Sequence, residues 1–544
     1  MLEAWGFLVR GFTRSRVEVV GREPRVVMRC VEEGSMRLSR AWLWVGLLGL
    51  CGSLVADHLP AADRPNIVMI LADDQGWTDY GFMGHPRIQT PALDRLARES
   101  VLFRRGYVPT ALCRPSLMTL VTGHYAHEHG VTGNDPSPKY AEVGSELYRE
   151  RCAALISKID RLATLPKLLG ELGYWSHQSG KWWEGGYQRG GFTHGMTRGF
   201  PQRGGRHGDD GLRIGREGLQ PIADFVDSAL AADRPFFVWY APFLPHTPHN
   251  PPDRFLKKYA NLAGAEEAAK AANNKRANDT QDGVPLRTKK QQRPDREKEG
   301  KSQADPSGTR HAADGLPLPV AKYFAMCEWF DETCGQLMEI LESKQLRDNT
   351  IVVYVTDNGW IQDPQGNGYA PRSKQTPYEG GIRTPIMLSW PKRWKPADRA
   401  DLVSSIDLVP TLLVAAGATP AHELPGLNLG PYLDRGEPLP RETLFGEGFA
   451  HDIAQIDNPE ATLLYRWCIE GPWKLVLTYD GEVNRYASTH PRTERRPQLF
   501  QLLDDPHERN NVAAQHPERV AAMVQKMDAW YPVTQRQVIK TWQE

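Results

Sequence analysis

The chain has 544 residues, 40% of them hydrophobic, and its 66 Lys and Arg balance 66 Asp and Glu. Zero net charge argues against binding nucleic acid or an acidic membrane through bulk charge, because such binding is driven by an excess of cations. The apolar share supports a large core, which excludes a chain disordered throughout and a polytopic membrane protein.

Residues 36–56 begin Met36-Arg37-Leu38-Ser39-Arg40 and continue as an apolar run from Ala41 to Ala56. A short basic start before an apolar stretch of about 15 residues is the pattern of a signal peptide, and it is short for a spanning helix. Export to a periplasmic, extracellular or lumenal compartment is expected, with a retained N-terminal anchor as the alternative. Residues 1–35 have no clear pattern and read as an upstream extension, with Met36 as the start.

Asn66 to Ala72 is a continuous apolar run, the mark of a strand buried on both faces. A helix follows from Pro91 to Glu99, with Thr90 as its cap. Pro115 to Thr122 reads as a helix ending at Gly123, and Leu165 to Leu172 as one closed by Gly173. Phe236 to Tyr240 and Ile351 to Thr356 are strands, and Lys322 to Leu341 has apolar residues at helical spacing. Strands alternating with helices imply an α/β fold with a large, mostly parallel sheet between helices. Cys327 and Cys334 lie two turns apart on the expected helix, about 10.5 Å, too far for a disulfide. No Cys-x-x-Cys pair suggests a zinc site.

Residues 261–315 interrupt this body with no aromatic residue, eleven Lys or Arg and nine Asp or Glu. Such a segment cannot bury a core and reads as a disordered insert. After it the α/β body resumes to residue 435. From 441 to 544 the chain turns strand-like, with Leu463 to Ile469, Trp473 to Tyr479 and Leu499 to Leu502, before a helix from Pro517 to Trp530. A smaller C-terminal α+β domain is expected there, beside a main body spanning 64–435.

Two acidic pairs stand at strand ends: Asp73-Asp74 after the first strand and Asp357-Asn358 after the later one. Ligands of open α/β sheets bind beyond the carboxyl ends of the strands. Three carboxylates and an amide oxygen meeting there repel one another unless a cation sits among them, and an all-oxygen set suits Ca2+ or Mg2+ rather than zinc. Lys181 in Gly180-Lys181-Trp182, Lys374 in Ser373-Lys374-Gln375, and His246 and His249 in Pro245-His246-Thr247-Pro248-His249 are candidates to act on an anionic group.

The segment Cys113-Arg114-Pro115-Ser116-Leu117, followed by Thr122-Gly123, resembles the signature of the type I sulfatases, which belong to the alkaline phosphatase superfamily. The pairs and lysines above fall in the family's order, as do Tyr378-Glu379-Gly380-Gly381 and the ending Leu499-Phe500-Gln501-Leu502 with Asp505-Pro506-His507-Glu508. The resemblance runs from about Arg64 to Tyr531 and makes 64–435 the catalytic domain. It implies an alkaline-phosphatase-like core and hydrolysis of sulfate esters of a small molecule or carbohydrate. It implies that Cys113 is oxidised to formylglycine by a formylglycine-generating system, and that the hydrated aldehyde attacks sulfur. It implies that Asp73, Asp74, Cys113, Asp357 and Asn358 hold Ca2+, in preference to Mg2+. Lys181 and Lys374 then bind sulfate oxygens, and His246 serves the departing alcohol. No nucleic-acid partner is expected, and no membrane contact beyond an N-terminal anchor.

Two positions depart from the pattern. Leu117 stands where the family has arginine, and Trp183 where it has histidine after Lys-Trp. Arg114, His194 and His207 are the residues available to stand in. Two other readings therefore stay open: a phosphate or phosphonate ester hydrolase on the same fold, and a catalytically silent binder of sulfated glycans.

Overall fold

The structure is a computed structural model that describes residues 64–200, 206–259, 316–366, 368–418, 424–479 and 496–535. The leader, the upstream extension and the charged insert lie outside the described residues.

Strand β1 (Asn66–Ala72) is followed by α1 (Pro91–Arg98), β2 (Val101–Tyr107) and α2 (Cys113–Thr122). Then come β3 (Trp175–Gly180), β4 (Phe236–Ala241), the long α3 (Leu318–Ser343), β5 (Thr350–Thr356) and β6 (Arg383–Ser389). These strands form a nine-stranded sheet whose central order is β2-β6-β5-β1-β4-β3, with short strands completing it. Strands β3, β4, β1 and β5 are mutually parallel neighbours, and β6 alone runs against both β5 and β2.

Alternate residues of the central strands enter two cores. Ile67, Met69, Phe237, Trp239, Ile351 and Val353 point to one side, together with Leu117 and Leu120 of α2. Val68, Ile70, Val238, Tyr240, Val352 and Tyr354 point to the other, where Phe330 and Leu337 of α3 meet them. Burial on both faces is why these strands read as unbroken apolar runs. Cys327 and Cys334 are buried on α3 as free thiols.

A second, antiparallel sheet follows, ordered β7 (Thr443–Phe449), β8 (Leu463–Glu470), β9 (Trp473–Thr478) and β10 (Gln498–Gln501). Helix α4 (Pro517–Trp530) lays Val520, Met523 and Met527 against Leu463, Leu475 and Leu499 of this sheet. Arg466 of β8 fastens the helix end, donating to the Met527 carbonyl at 2.8 Å and pairing with Asp528 at 2.7 Å. Among the described residues no helix is long and apolar enough to cross a membrane.

Thr90 precedes α1 as expected but does not cap it with its side chain; its hydroxyl donates to Asp94 at 2.8 Å. The N-terminal N–H groups are satisfied from α3 instead, where Asp331 accepts from Leu93 at 2.7 Å and Ala92 at 3.1 Å.

The sheet delivers the ends of four adjacent parallel strands to one edge. Gly180 closes β3 with φ of 88°, and a Cβ there would lie 1.8 Å from the Ala241 carbonyl oxygen. Only glycine lets β3 and β4 end side by side and turn into Lys181. Gly180→Ala is expected to cost about 2 kcal/mol or more, from the left-handed backbone and the clash together. Urea denaturation of wild type and variant measures it, and equal midpoints would contradict the assignment.

Candidate active site

Asp73 and Asp74 follow β1, and Asp357 and Asn358 follow β5, its hydrogen-bonded neighbour. The backbone holds the turns in place: Asp73 N–H donates to the Leu244 carbonyl and Asp357 N–H to the Ala72 carbonyl, both at 2.9 Å. Asp74 sits at φ of 65°, a left-handed conformation that aspartate tolerates better than most residues. Its N–H donates to Asp357 Oδ1 at 3.1 Å, and Asn358 Nδ2 donates to Asp74 Oδ1 at 2.6 Å. Three carboxylates and one amide thus form a single buried cluster.

Two lysines face it. Lys181, one residue past β3, places Nζ 2.5 Å from Asp73 Oδ1 and 3.6 Å from Asp357 Oδ2. Lys374 lies 2.6 and 2.8 Å from the two Asp74 oxygens and 2.9 Å from Cys113 Sγ. Cys113 is the first residue of α2 and is buried. His246, between two cis-proline bonds, donates from Nδ1 to the Thr247 carbonyl at 2.6 Å and sets Nε2 3.3 Å from Asp74 Oδ2.

Burial and crowding shape the charges. Burial pushes the Cys113 thiol up to about 12. Burial alone would lower Lys181 and Lys374, but the facing carboxylates hold both above the usual lysine range. Burial opposes charge on Asp74 too, yet Lys374 and His246 keep its carboxyl below the usual range. Asp73 is pushed up by burial against the pull of Lys181, and Asp357 and Asp74 add to the push. Burial and the adjacent Lys181 hold His246 well below its ordinary value.

Three oxygens of this cluster, Asp73 Oδ2, Asp357 Oδ2 and Asn358 Oδ1, are buried without a hydrogen-bond partner. Asp73, Asp74, Cys113 and His246 each bring a ligand atom within 4.8 Å of one another. Crowded carboxylates with unsatisfied buried oxygens fit a hard cation, which supplies the missing partner and offsets the repulsion.

Asp74, Cys113, Lys181, His246 and Lys374 line a cavity of about 300 Å3. Its walls include Trp183 and Phe243, whose ring faces lie 5.2 and 5.6 Å from Lys181 Nζ. His207 lines it as well, packed on both rings at 5.4 Å. His194 packs on Trp175 and Phe225 and does not line the cavity. His249 is buried against Tyr323 and Trp360, behind the wall. Trp182 belongs to the core, edge-on to Phe192 and Trp239.

Two supports were not read from the sequence. Arg114 does not reach into the cavity. Its guanidinium forms a bidentate pair with Glu184 at 2.6 and 2.7 Å and donates to the Asn134 carbonyl at 3.0 Å. This joins the start of α2, which carries Cys113, to the segment that carries Lys181. Leu117, on the same helix, is buried in the core. The second support is Lys474 on β9, fully buried, which pairs with Glu508 at 2.7 Å and Glu379 at 3.2 Å. Glu379 N–H also donates to Glu508 at 2.7 Å, so the loop bearing Lys374 is tied to the small antiparallel sheet. A lysine inside an apolar strand was the available signal for this cluster.

Removing one member of a buried ion pair strands the other charge. Glu184→Ala is expected to destabilise the protein by about 3 kcal/mol, whereas an exposed pair such as Arg95–Glu99 contributes under about 1 kcal/mol. Chemical denaturation of Glu184→Ala and Glu99→Ala side by side checks the contrast, and equal losses would refute it.

A sequence-family model described as Sulfatase matches residues 65–418. The chain is 26% identical over 523 residues to an N-acetylgalactosamine-6-O-sulfatase of Bacteroides thetaiotaomicron, covering 89% of this chain and 97% of that protein. It is 26% identical over 530 residues to human arylsulfatase A, covering 87% and 88%. Its fold is similar to the solved structure of a putative sulfatase, yidJ, from Bacteroides fragilis, with a TM-score of 0.62, 21% identity, and coverage of 86% and 95%.

Proposed function

From a chain that belongs to the sulfatase family, and is therefore a sulfuric ester hydrolase, we propose an exported enzyme that removes sulfate from sulfated carbohydrates through Cys113. The observation that carries this reading is the meeting of Cys113 Sγ, Lys374 and Lys181 with a buried carboxylate cluster at one sheet edge. That edge offers a reactive position between cations suited to an anion and carboxylates suited to a metal. The carbohydrate assignment is supported by the sugar sulfatase among the relatives. The basic-then-apolar segment 36–56 supports export.

Formylglycine, made from Cys113 by a formylglycine-generating system, supplies a hydrated aldehyde oxygen as the nucleophile toward sulfur. Calcium, which the oxygen-rich set of Asp73, Asp74, Asp357 and Asn358 with residue 113 would hold, supplies positive charge near the sulfate. The chain's own side chains do the rest. Lys181 and Lys374 bind the sulfate oxygens, and their separate carboxylate partners keep both ammonium groups charged and aimed at the cavity. The carbonyl of Thr247 accepts from Nδ1 and fixes the His246 ring, so Nε2 faces the departing alcohol oxygen and, once the ring has taken up a proton there, is the atom that donates to it. Trp183 and Phe243 exclude water beside Lys181 and strengthen its attraction for the anion.

The test is release of sulfate and phosphate from matched esters, by protein from its native host whose Cys113 peptide has been weighed. An aldehyde or its hydrate at residue 113, sulfate release exceeding phosphate release, and a loss of about 100-fold or more in kcat for His246→Ala are expected. An intact thiol with no sulfate release would overturn the reading in favour of a silent glycan binder. Faster phosphate release would move the activity to phosphate esters.

A further inference from the structure

The turn that presents Asp73 and Asp74 is braced from behind by a hydroxyl that takes no part in the proposed reaction. Asp74 holds a left-handed φ of 65°, which a turn keeps only when its surroundings over-determine it. Two residues on, Gly76 N–H donates at 3.0 Å to the hydroxyl of Tyr323, which arrives on α3. That hydroxyl donates onward to Asp79 Oδ2 at 2.7 Å, and Asp79 N–H donates back to the Gly76 carbonyl at 3.0 Å. Gln75 Nε2 adds a bond to the Asp79 carbonyl at 3.0 Å. Gly76 has no room to shift. A Cβ on it would lie 2.4 Å from Asp79 Oδ2 and 2.6 Å from the Trp360 carbonyl oxygen.

The Tyr323 ring is itself held in place. It is fully buried, and His249 and Trp360 pack on it with ring centres 5.5 and 6.4 Å away. His249, which stays behind the cavity wall, thus belongs to the same frame. Gly76 and Asp79 are buried as well, so their polar groups need partners inside the protein, and one hydroxyl serves both. Without it, the Gly76 N–H and Asp79 Oδ2 are drawn toward each other, which moves backbone two residues from Asp74. We infer that Tyr323 is a positioning residue for the cation site: through Gly76 and Asp79 it fixes the turn on which Asp73 and Asp74 present their oxygens. The inference rests on the proposed cation and deepens it. Partners that orient metal ligands without touching the ion are commonly worth about 10- to 100-fold in metal affinity.

Calorimetric titration of chelator-treated protein with Ca2+ tests this in wild type, Tyr323→Phe and Tyr174→Phe. Tyr174 is the matched control, a buried tyrosine whose hydroxyl donates to the Pro65 carbonyl at 2.7 Å, at the opposite end of β1. Tyr323→Phe is expected to weaken Ca2+ binding by about 10-fold or more, and Tyr174→Phe to leave it unchanged. Asp79→Asn keeps the shape of the side chain but gives the Tyr323 hydroxyl a weaker acceptor. It is expected to weaken Ca2+ binding by about 3-fold or more, and it stands in if Tyr323→Phe does not fold. Affinity equal to wild type in these folded variants, or equal losses in Tyr323→Phe and Tyr174→Phe, would overturn the positioning role and leave the cation site standing. Wild type that takes up no Ca2+ would overturn the cation site, and the positioning role with it.

Discussion

Negative charge buried at the ends of β1 and β5 is the constraint on which the rest of this molecule depends. Asp73, Asp74 and Asp357 sit together at 1–2% exposure, where ionised carboxylates repel one another and lack water. The fold answers with two lysines, each on its own carboxylate, and with a set of oxygens suited to a hard cation. In the proposed reaction an anionic ester group bound between those cations completes the balance. Chemistry at Cys113 is thus bound up with the same charges that the sheet has to neutralise.

The architecture supplies the precision that such a cluster needs. Four parallel strands end at one edge, so strand register alone aligns Lys181, Asp73 and Asp357. Helix α2 brings Cys113 from outside the sheet, and the Arg114–Glu184 pair locks it to the lysine segment. Lys374 comes on a loop, where position is harder to hold, and there Lys474 of the small antiparallel sheet intervenes together with Glu508. Buried pairs of this kind add little net stability but are costly to break, so they fix geometry more than they raise stability.

Much of this was legible in the sequence. The strands Asn66–Ala72 and Thr350–Thr356 announce themselves as apolar runs, and the acidic pairs follow directly. The motif residues Cys113, Lys181, His246 and Lys374 line one cavity. Strand β3, Trp-Ser-His-Gln-Ser-Gly, was missed as a strand because its residues are polar; it is buried by its neighbours rather than by its own composition. Arg114 was a candidate to stand in for a missing arginine, but Glu184 occupies it, a pairing across 70 positions that no local pattern reveals. His207 does reach the cavity, whereas His194 does not. The pairing of Asp135–Pro136 with Asp452–Ile453 was invisible for the same reason.

The proposed mechanism requires the carboxylate cluster to hold a cation. Calorimetric titration of chelator-treated protein with Ca2+, alongside Asp73→Asn, tests it most directly. One ion bound per chain, with binding lost in the variant, is the predicted result. No uptake by the folded wild type, or uptake undiminished in Asp73→Asn, would contradict it.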